Sequence, residues 1–354
     1  MTTQPALRGA HTAIVTPFDA AGKVAWSALE KLIAFQIDQG IDGLVACGTT
    51  GESPTLDWDE HEAVIARSIK AAAGKVPIMA GVGSNNTKEA IDATRHAKEA
   101  GAASGLLVDC YYNGPSSGEL RAEYYEAVAA AVPGFPLVPY VIPGRTGCAL
   151  SAEDLALLVE RRPQYVAVKE ATGDLDRMAR TRGYLPQPFS IMSGDDDVTL
   201  GMMSRPDIAA QGVISVMTNL TPGPIAQMVR HATAGEWAQA EALIAKLTPL
   251  FKIITVTVDS TRQLKTGKTL TVKDKFRNPA AIKTIMAGLG MNVGPMRAPM
   301  GKMNAAGIQA VRGALKQVNL ASPELLAPVG RFYNVDIAAK IADDKNWAAL
   351  TREY

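Results

Sequence analysis

Lys169 ends the apolar run Tyr165-Val166-Ala167-Val168, which makes its amine a candidate nucleophile at the mouth of a buried strand. Removal from water disfavours the ammonium form and leaves a free amine able to attack a ketone and form an imine. The plain alternative is a strand-end lysine whose head reaches solvent. Tyr140 lies in a second apolar run, Pro136–Pro143, and a phenol beside the amine can carry protons to and from a carbinolamine. That role needs an onward relay, for which Thr49 and a tyrosine from the next polar cluster, Tyr111-Tyr112-Asn113, are candidates.

Anion recognition has its own candidates. Thr49-Thr50 follows Gly48 at the start of a loop, where hydroxyls and backbone N–H groups suit a carboxylate. Arg145, between Gly144 and Thr146, can clamp a second carboxylate through its planar fork. A capping turn and a surface arginine are the simpler alternatives. Other chemistries find less support. Lys265-Thr266-Gly267-Lys268-Thr269 resembles a phosphate loop, but Arg262 stands where the leading glycine belongs, so a hairpin turn is expected. His11, His61, His96 and His231 are dispersed, and no metal site is expected from them. No glycine-rich fingerprint follows a strand, so no dinucleotide or other cofactor is expected.

The elements that must position these groups follow from periodicity. Eight short apolar, β-rich runs recur: Thr12–Pro17, Gly43–Cys47, Pro77–Val82, Gly105–Tyr111, Pro136–Pro143, Tyr165–Glu170, Phe189–Ser193 and Gly212–Val216. Their spacing of about thirty residues is the length of one βα unit. Amphipathic segments lie between them, at Ser27–Gln39, Asp59–Ala73, Lys88–Ala100, Glu119–Val132, Ala152–Arg161 and Pro224–Ala234. Continuous apolar strands alternating with helices predict an α/β fold of parallel strands, and eight units predict a closed (β/α)8 TIM barrel. The candidate residues then share one rim, the C-terminal ends of the strands.

The barrel is expected over 1–234, followed by a helical region over 235–354. Within that region Trp237–Phe251 reads as a helix, and β-branched residues flanking Lys-Thr-Gly-Lys predict an inserted hairpin near 253–276. Helices resume at Ala280–Leu289 and Ala305–Val318, and 320–354 forms a tail.

The composition fits a soluble globular enzyme. Of the 354 residues, 47% are hydrophobic and 20% charged, and 36 Lys plus Arg against 35 Asp plus Glu leave no field to attract nucleic acid. Cys47, Cys110 and Cys148 lack the spacing of a disulfide or zinc framework, so reduced thiols in a cytoplasm are expected. No secretory leader is expected from the first ten residues, and no apolar stretch nears the ~20 residues that span a bilayer.

At the candidate residues the sequence resembles the dihydrodipicolinate synthase / N-acetylneuraminate lyase superfamily. Gly48-Thr49-Thr50-Gly51-Glu52-Ser53 matches its strand-two signature, and Val168-Lys169-Glu170-Ala171-Thr172-Gly173-Asp174 its Schiff-base signature. The likeness runs from about Gly9 to Phe251 and again from about Arg277 to Asn319. Tyr111-Tyr112-Asn113, Pro143-Gly144-Arg145-Thr146-Gly147 and Ser193-Gly194-Asp195-Asp196 resemble the synthase branch.

The resemblance implies condensation of pyruvate with aspartate 4-semialdehyde in lysine biosynthesis. It implies an imine on Lys169, proton transfer by Tyr140, and a relay through Thr49 to Tyr112, which reaches a neighbouring subunit's site. Thr50 would hold the pyruvate carboxylate, Arg145 the aldehyde's carboxylate, and Gly194 and Ile214 would give backbone contacts. A homodimer or homotetramer is implied, as is feedback by lysine at Ser53, Trp58, His61, Asn85, Glu89 and Tyr111. Val141 stands where synthases carry asparagine, and the hairpin and tail lack a counterpart in the compact family pattern. A 2-keto-3-deoxy sugar acid aldolase or dehydratase is the main competing reading, and a silent barrel that binds keto or amino acids a third. Arg145 favours the synthase, because a carboxylate-bearing aldehyde needs a cation where a polyol needs hydroxyl partners.

Overall fold

A computed structural model describes residues 7–354. Eight parallel strands close into a barrel: β1 Gly9–Ala13, β2 Gly43–Ala46, β3 Ile78–Gly81, β4 Ser104–Val108, β5 Leu137–Val141, β6 Ala167–Glu170, β7 Ser190–Ser193 and β8 Gly212–Ser215. Each strand pairs with the next, and β8 returns to β1 with Gly9 opposite Gly212. The closing seam needs glycine. A Cβ on Gly212 would lie 1.9 Å from the Gly9 carbonyl oxygen, and Gly212 has φ of +152°.

Side-chain alternation along the strands divides the core in two. Ala13, Val45, Met79, Leu106, Val138, Ala167, Met192 and Ile214 fill the barrel interior. Their sequence neighbours, among them Leu44, Leu107, Val141, Val168 and Val213, join the larger layer between strands and helices. The outer helices bury stripes at helical spacing, as in Trp26–Asp38 with Leu29, Leu32, Ile33 and Gln36. Their starts are capped where the sequence offers a cap. Ser151 accepts from the Asp154 N–H, and Asp57 from the Glu60 N–H.

Two elements differ from the sequence expectation. The first strand lies at Gly9–Ala13 rather than Thr12–Pro17. The apolar run continues past the barrel into a loop whose backbone is served by Asn219, which accepts from the Val15 N–H at 3.0 Å and donates to the Ala13 carbonyl at 2.7 Å. The single helix expected over Glu119–Val132 contains a π-helical turn, Leu120–Tyr125. That turn brings consecutive Tyr124 and Tyr125 onto the end of β4, where Tyr124 Oη donates to the Val108 carbonyl and Tyr125 Oη to Asp109. The hairpin lies within the expected span: β9 is Val256–Gln263 and β10 Thr269–Phe276, joined through Gly267 at φ +85°. Both strands are largely exposed.

The hairpin base is fixed to the helix Ala305–Ala321. Asn304, its N-cap, donates to Ser260 Oγ at 2.6 Å and to Asp274 Oδ2 at 3.1 Å. The tail is helical over Ala327–Tyr333, Ile337–Ala342 and Asp344–Ala348. Among the described residues no helix is long and apolar enough to cross a membrane.

Candidate active site

Two adjacent strands bring the amine and the phenol together. Tyr140 on β5 is the register partner of Lys169 on β6. Strand alternation turns Val138 and Tyr140, and likewise Ala167 and Lys169, toward the barrel axis. Lys169 Nζ lies 4.1 Å from the centre of the Tyr140 ring, and both side chains are buried. The next residue on each strand points the other way. Glu170 is buried against the helix layer, where Arg177 pairs with it at 3.2 Å. Val141 is also buried in that apolar layer, so the departure from the family's asparagine does not face the Lys169 amine.

Burial lowers the Lys169 pKa to about 8, and the nearby Asp195 and Asp196 carboxylates oppose that fall. Burial pushes the Tyr140 phenol up to about 12, while the Arg145 charge and a hydrogen bond with Thr49 draw it down. Near neutral pH the phenol therefore keeps its proton, and a usable fraction of the amine is free.

A cavity of about 440 Å³ opens above these groups, with Thr50, Arg145, Gly194 and Asp195 in its wall. Gly194 is where the amine's reach meets the backbone: a Cβ there would stand 3.1 Å from Lys169 Cε and 2.7 Å from Ala171 Cβ. Its N–H donates to the Glu170 carbonyl at 2.6 Å. Asp196 is buried beneath the wall and ties β7 to the loop after β8, accepting from Ser215 Oγ and from the Val216 N–H at 3.0 Å. Ile214 is buried in the barrel interior on β8.

Two further wall residues were not singled out from the sequence. Asn278 Nδ2 donates to Thr50 Oγ1 at 2.9 Å, and Arg277 donates to the Gly144 carbonyl at 2.8 Å. Both follow the hairpin, 228 and 133 residues from their partners. The only sequence signal there is that the family likeness resumes at Arg277.

Tyr112 stands apart from this cluster. Its φ is +83°, a strained value for a side chain of this size, and it is 91% exposed, turned out of its own chain's site. The residues implied in lysine feedback form two groups. Tyr111 is half-buried beside Ser84, Asn85 and Glu89; burial first and the Glu89 charge next raise its phenol, and Ser84 Oγ donates to Glu89 at 2.6 Å. Ser53 and Tyr111 line a cavity of about 230 Å³ whose wall also contains Thr49 and Tyr140. Trp58 and His61 contact each other edge to face at 5.2 Å, and burial holds the His61 imidazole down to about 4.

The sequence pattern of the Dihydrodipicolinate synthetase family matches residues 6–318. This chain belongs to that family. A 4-hydroxy-tetrahydrodipicolinate synthase of Cyanothece sp. is 41% identical over 309 residues, which cover 87% of this chain and 97% of the relative. The crystal structure of dihydrodipicolinate synthase from Aquifex aeolicus superposes with a TM-score of 0.79 at 37% identity, over 89% of this chain and 99% of that one. The family member from Cyanidioschyzon merolae, solved with lysine bound, has a TM-score of 0.79 at 34% identity, over 88% and 98% of the two chains. The family relatives are thus covered nearly end to end.

Proposed function

We propose that the protein is a lyase that condenses pyruvate with aspartate 4-semialdehyde to 4-hydroxy-tetrahydrodipicolinate, the lysine-biosynthetic reaction named for its relatives. The observation that carries the reading is the buried Lys169 amine, held toward its free form, 4.1 Å from the Tyr140 ring. Lys169 attacks C2 of pyruvate, and loss of water from the carbinolamine gives the imine. Tyr140 donates and recovers the protons of these steps. Loss of a methyl proton converts the imine to an enamine, whose carbon attacks the aldehyde. The substrate's amine then closes onto C2 and displaces Lys169.

Thr50 holds the pyruvate carboxylate in this reading, Arg145 that of the aldehyde, and Gly194 and Ile214 offer backbone groups. Thr49 passes the proton between Tyr140 and Tyr112 of a neighbouring subunit, which accounts for the exposed, strained Tyr112. The functional unit is accordingly a homodimer or homotetramer, at work in the cytoplasm. The barrel, 1–234, carries the chemistry, and 235–354 covers its mouth. Lysine is the feedback ligand, its ammonium groups met by Glu89 and Asn85 near Tyr111. A lysine-bound relative supports this assignment.

Val141, the departure from the family's asparagine, is buried in the helix layer and so lends no support to a sugar acid as substrate. The deciding experiment is a coupled assay comparing aspartate semialdehyde with 2-keto-3-deoxy sugar acids. The semialdehyde should give the higher kcat/KM; a far higher value for a sugar acid would overturn the substrate assignment. Borohydride should fix reduced pyruvate on the native chain and not on Lys169→Ala.

A further inference from the structure

We propose that Arg277, carried at the end of the inserted hairpin, is a second specificity-determining residue that binds the carboxylate of the incoming aldehyde together with Arg145. The inference rests on the condensation reading above and names a residue beyond it.

The two arginines clasp each other's loops. Arg145 Nη2 donates to the Asn278 carbonyl at 3.0 Å, and Arg277 Nη1 donates to the Gly144 carbonyl at 2.8 Å. Each guanidinium thereby spends one N–H on a neutral oxygen and keeps others for the cavity that both line. Among the described residues neither has a carboxylate within 4.0 Å. They are close enough for the Arg277 charge to act on Arg145. Asp195 acts on Arg145 only from beyond ion-pair contact, so two like charges at the rim of a partly enclosed site favour an anion between them. A carboxylate is planar with two oxygens, so each oxygen can face one fork.

The hairpin makes this placement possible. Lys275 and Lys252, from β10 and from the residue after the helix Trp237–Phe251, line the same cavity and, with Lys169 and the two arginines, outnumber the Asp195, Asp196 and Asp197 carboxylates in its wall. Asn304 anchors the hairpin through Ser260 and Asp274, so Arg277 leaves a braced base rather than a free loop. At the cavity floor Thr50 and Lys169 are left for the keto acid. The clamp thus separates the two carboxylates of the reaction, one at the floor and one at the rim.

The test compares wild type with Arg277→Gln and Arg277→Lys. Arg277→Gln should raise the KM for aspartate semialdehyde about tenfold or more, leaving the KM for pyruvate and the borohydride-trapped fraction within twofold of wild type. Arg277→Lys should recover part of that loss. With 3-aminopropanal, which keeps the ring-closing amine and lacks only the carboxylate, wild type and Arg277→Gln should react alike. An equal loss with 3-aminopropanal would mean that Arg277 only holds the Gly144 loop, and would overturn the proposal.

A binding measurement keeps the clamp testable apart from turnover. The borohydride-reduced pyruvate adducts of wild type and Arg277→Gln are titrated with succinate semialdehyde by calorimetry. About tenfold weaker binding to the variant supports the clamp, and equal binding overturns it. Wild type that traps pyruvate yet does not consume aspartate semialdehyde refutes the substrate assignment instead, and the titration still decides the clamp.

Discussion

Lys283 and Glu52, 231 residues apart in the chain, form a fully buried ion pair with Nζ 2.6 Å from Oε1. Glu52 belongs to the loop that presents Thr49 and Thr50, and Lys283 lies on the helix Ala280–Gly288 after the hairpin. Lys283 uses all three of its N–H donors, and both Glu52 oxygens accept. Lys283 also donates to the Thr16 and Pro295 carbonyls at 3.0 Å, and Glu52 accepts from the Arg297 N–H at 2.9 Å. The pair pins the C-terminal region to the loop at the site, with Glu52 held at φ +57°.

Lys283→Met should therefore destabilise the fold by ~3–5 kcal/mol, the usual cost of leaving one buried charge without its partner. Chemical denaturation of the single variant and of the double variant Glu52→Gln/Lys283→Met measures this. The double variant should be less destabilised than the sum of the two singles, and additive losses would show that the pair is not coupled.

The amine at about 8 predicts a pH profile. In the proposed mechanism only neutral Lys169 attacks pyruvate, so kcat/KM for pyruvate should fall about tenfold per pH unit well below 8 and level off above it. Asp195 stabilises the ammonium form, so Asp195→Asn should move the limb to lower pH. A limb that stays in place or moves upward would contradict the assigned electrostatics. The profile is read from initial rates at subsaturating pyruvate.

Tyr140→Phe keeps the ring beside the amine and removes the proton carrier. We expect kcat to fall by ~10²–10⁴, the range for loss of a general acid–base group. Slow borohydride trapping of pyruvate should persist, because the amine remains. Thr49→Val should cost less, since Tyr140 retains its hydroxyl.

The proposed feedback by lysine should separate from catalysis at Glu89. Glu89 accepts from Ser84 and lies beside Tyr111 rather than in the Lys169 cavity. Glu89→Gln should raise the lysine concentration for half-inhibition at least tenfold while kcat stays within about threefold. Native activity unaffected by millimolar lysine would dismiss the feedback assignment altogether.

Local sequence determined the barrel, because eight apolar runs at the spacing of βα units admit few other folds. It also located Lys169, Tyr140, Thr50 and Arg145 at strand ends, since each lies in or just after a run whose period is readable on its own. Ends of elements were less legible. The stretch Ile14–Pro17 is as apolar as a strand, yet the Val15 N–H goes to a side chain 204 residues away and the Thr16 carbonyl to Lys283. The tertiary structure alone decided what crosses the mouth. Arg277, Asn278 and Lys283 sit after a hairpin legible in the sequence, but meet Gly144, Thr50 and Glu52 only because the chain folds back over the rim. It also decided that Val141 faces the helices, since the inward or outward sense of a strand residue depends on register with its neighbours. Periodicity is a property of nearby residues. Closure of a cavity by distant ones is a property of the folded chain.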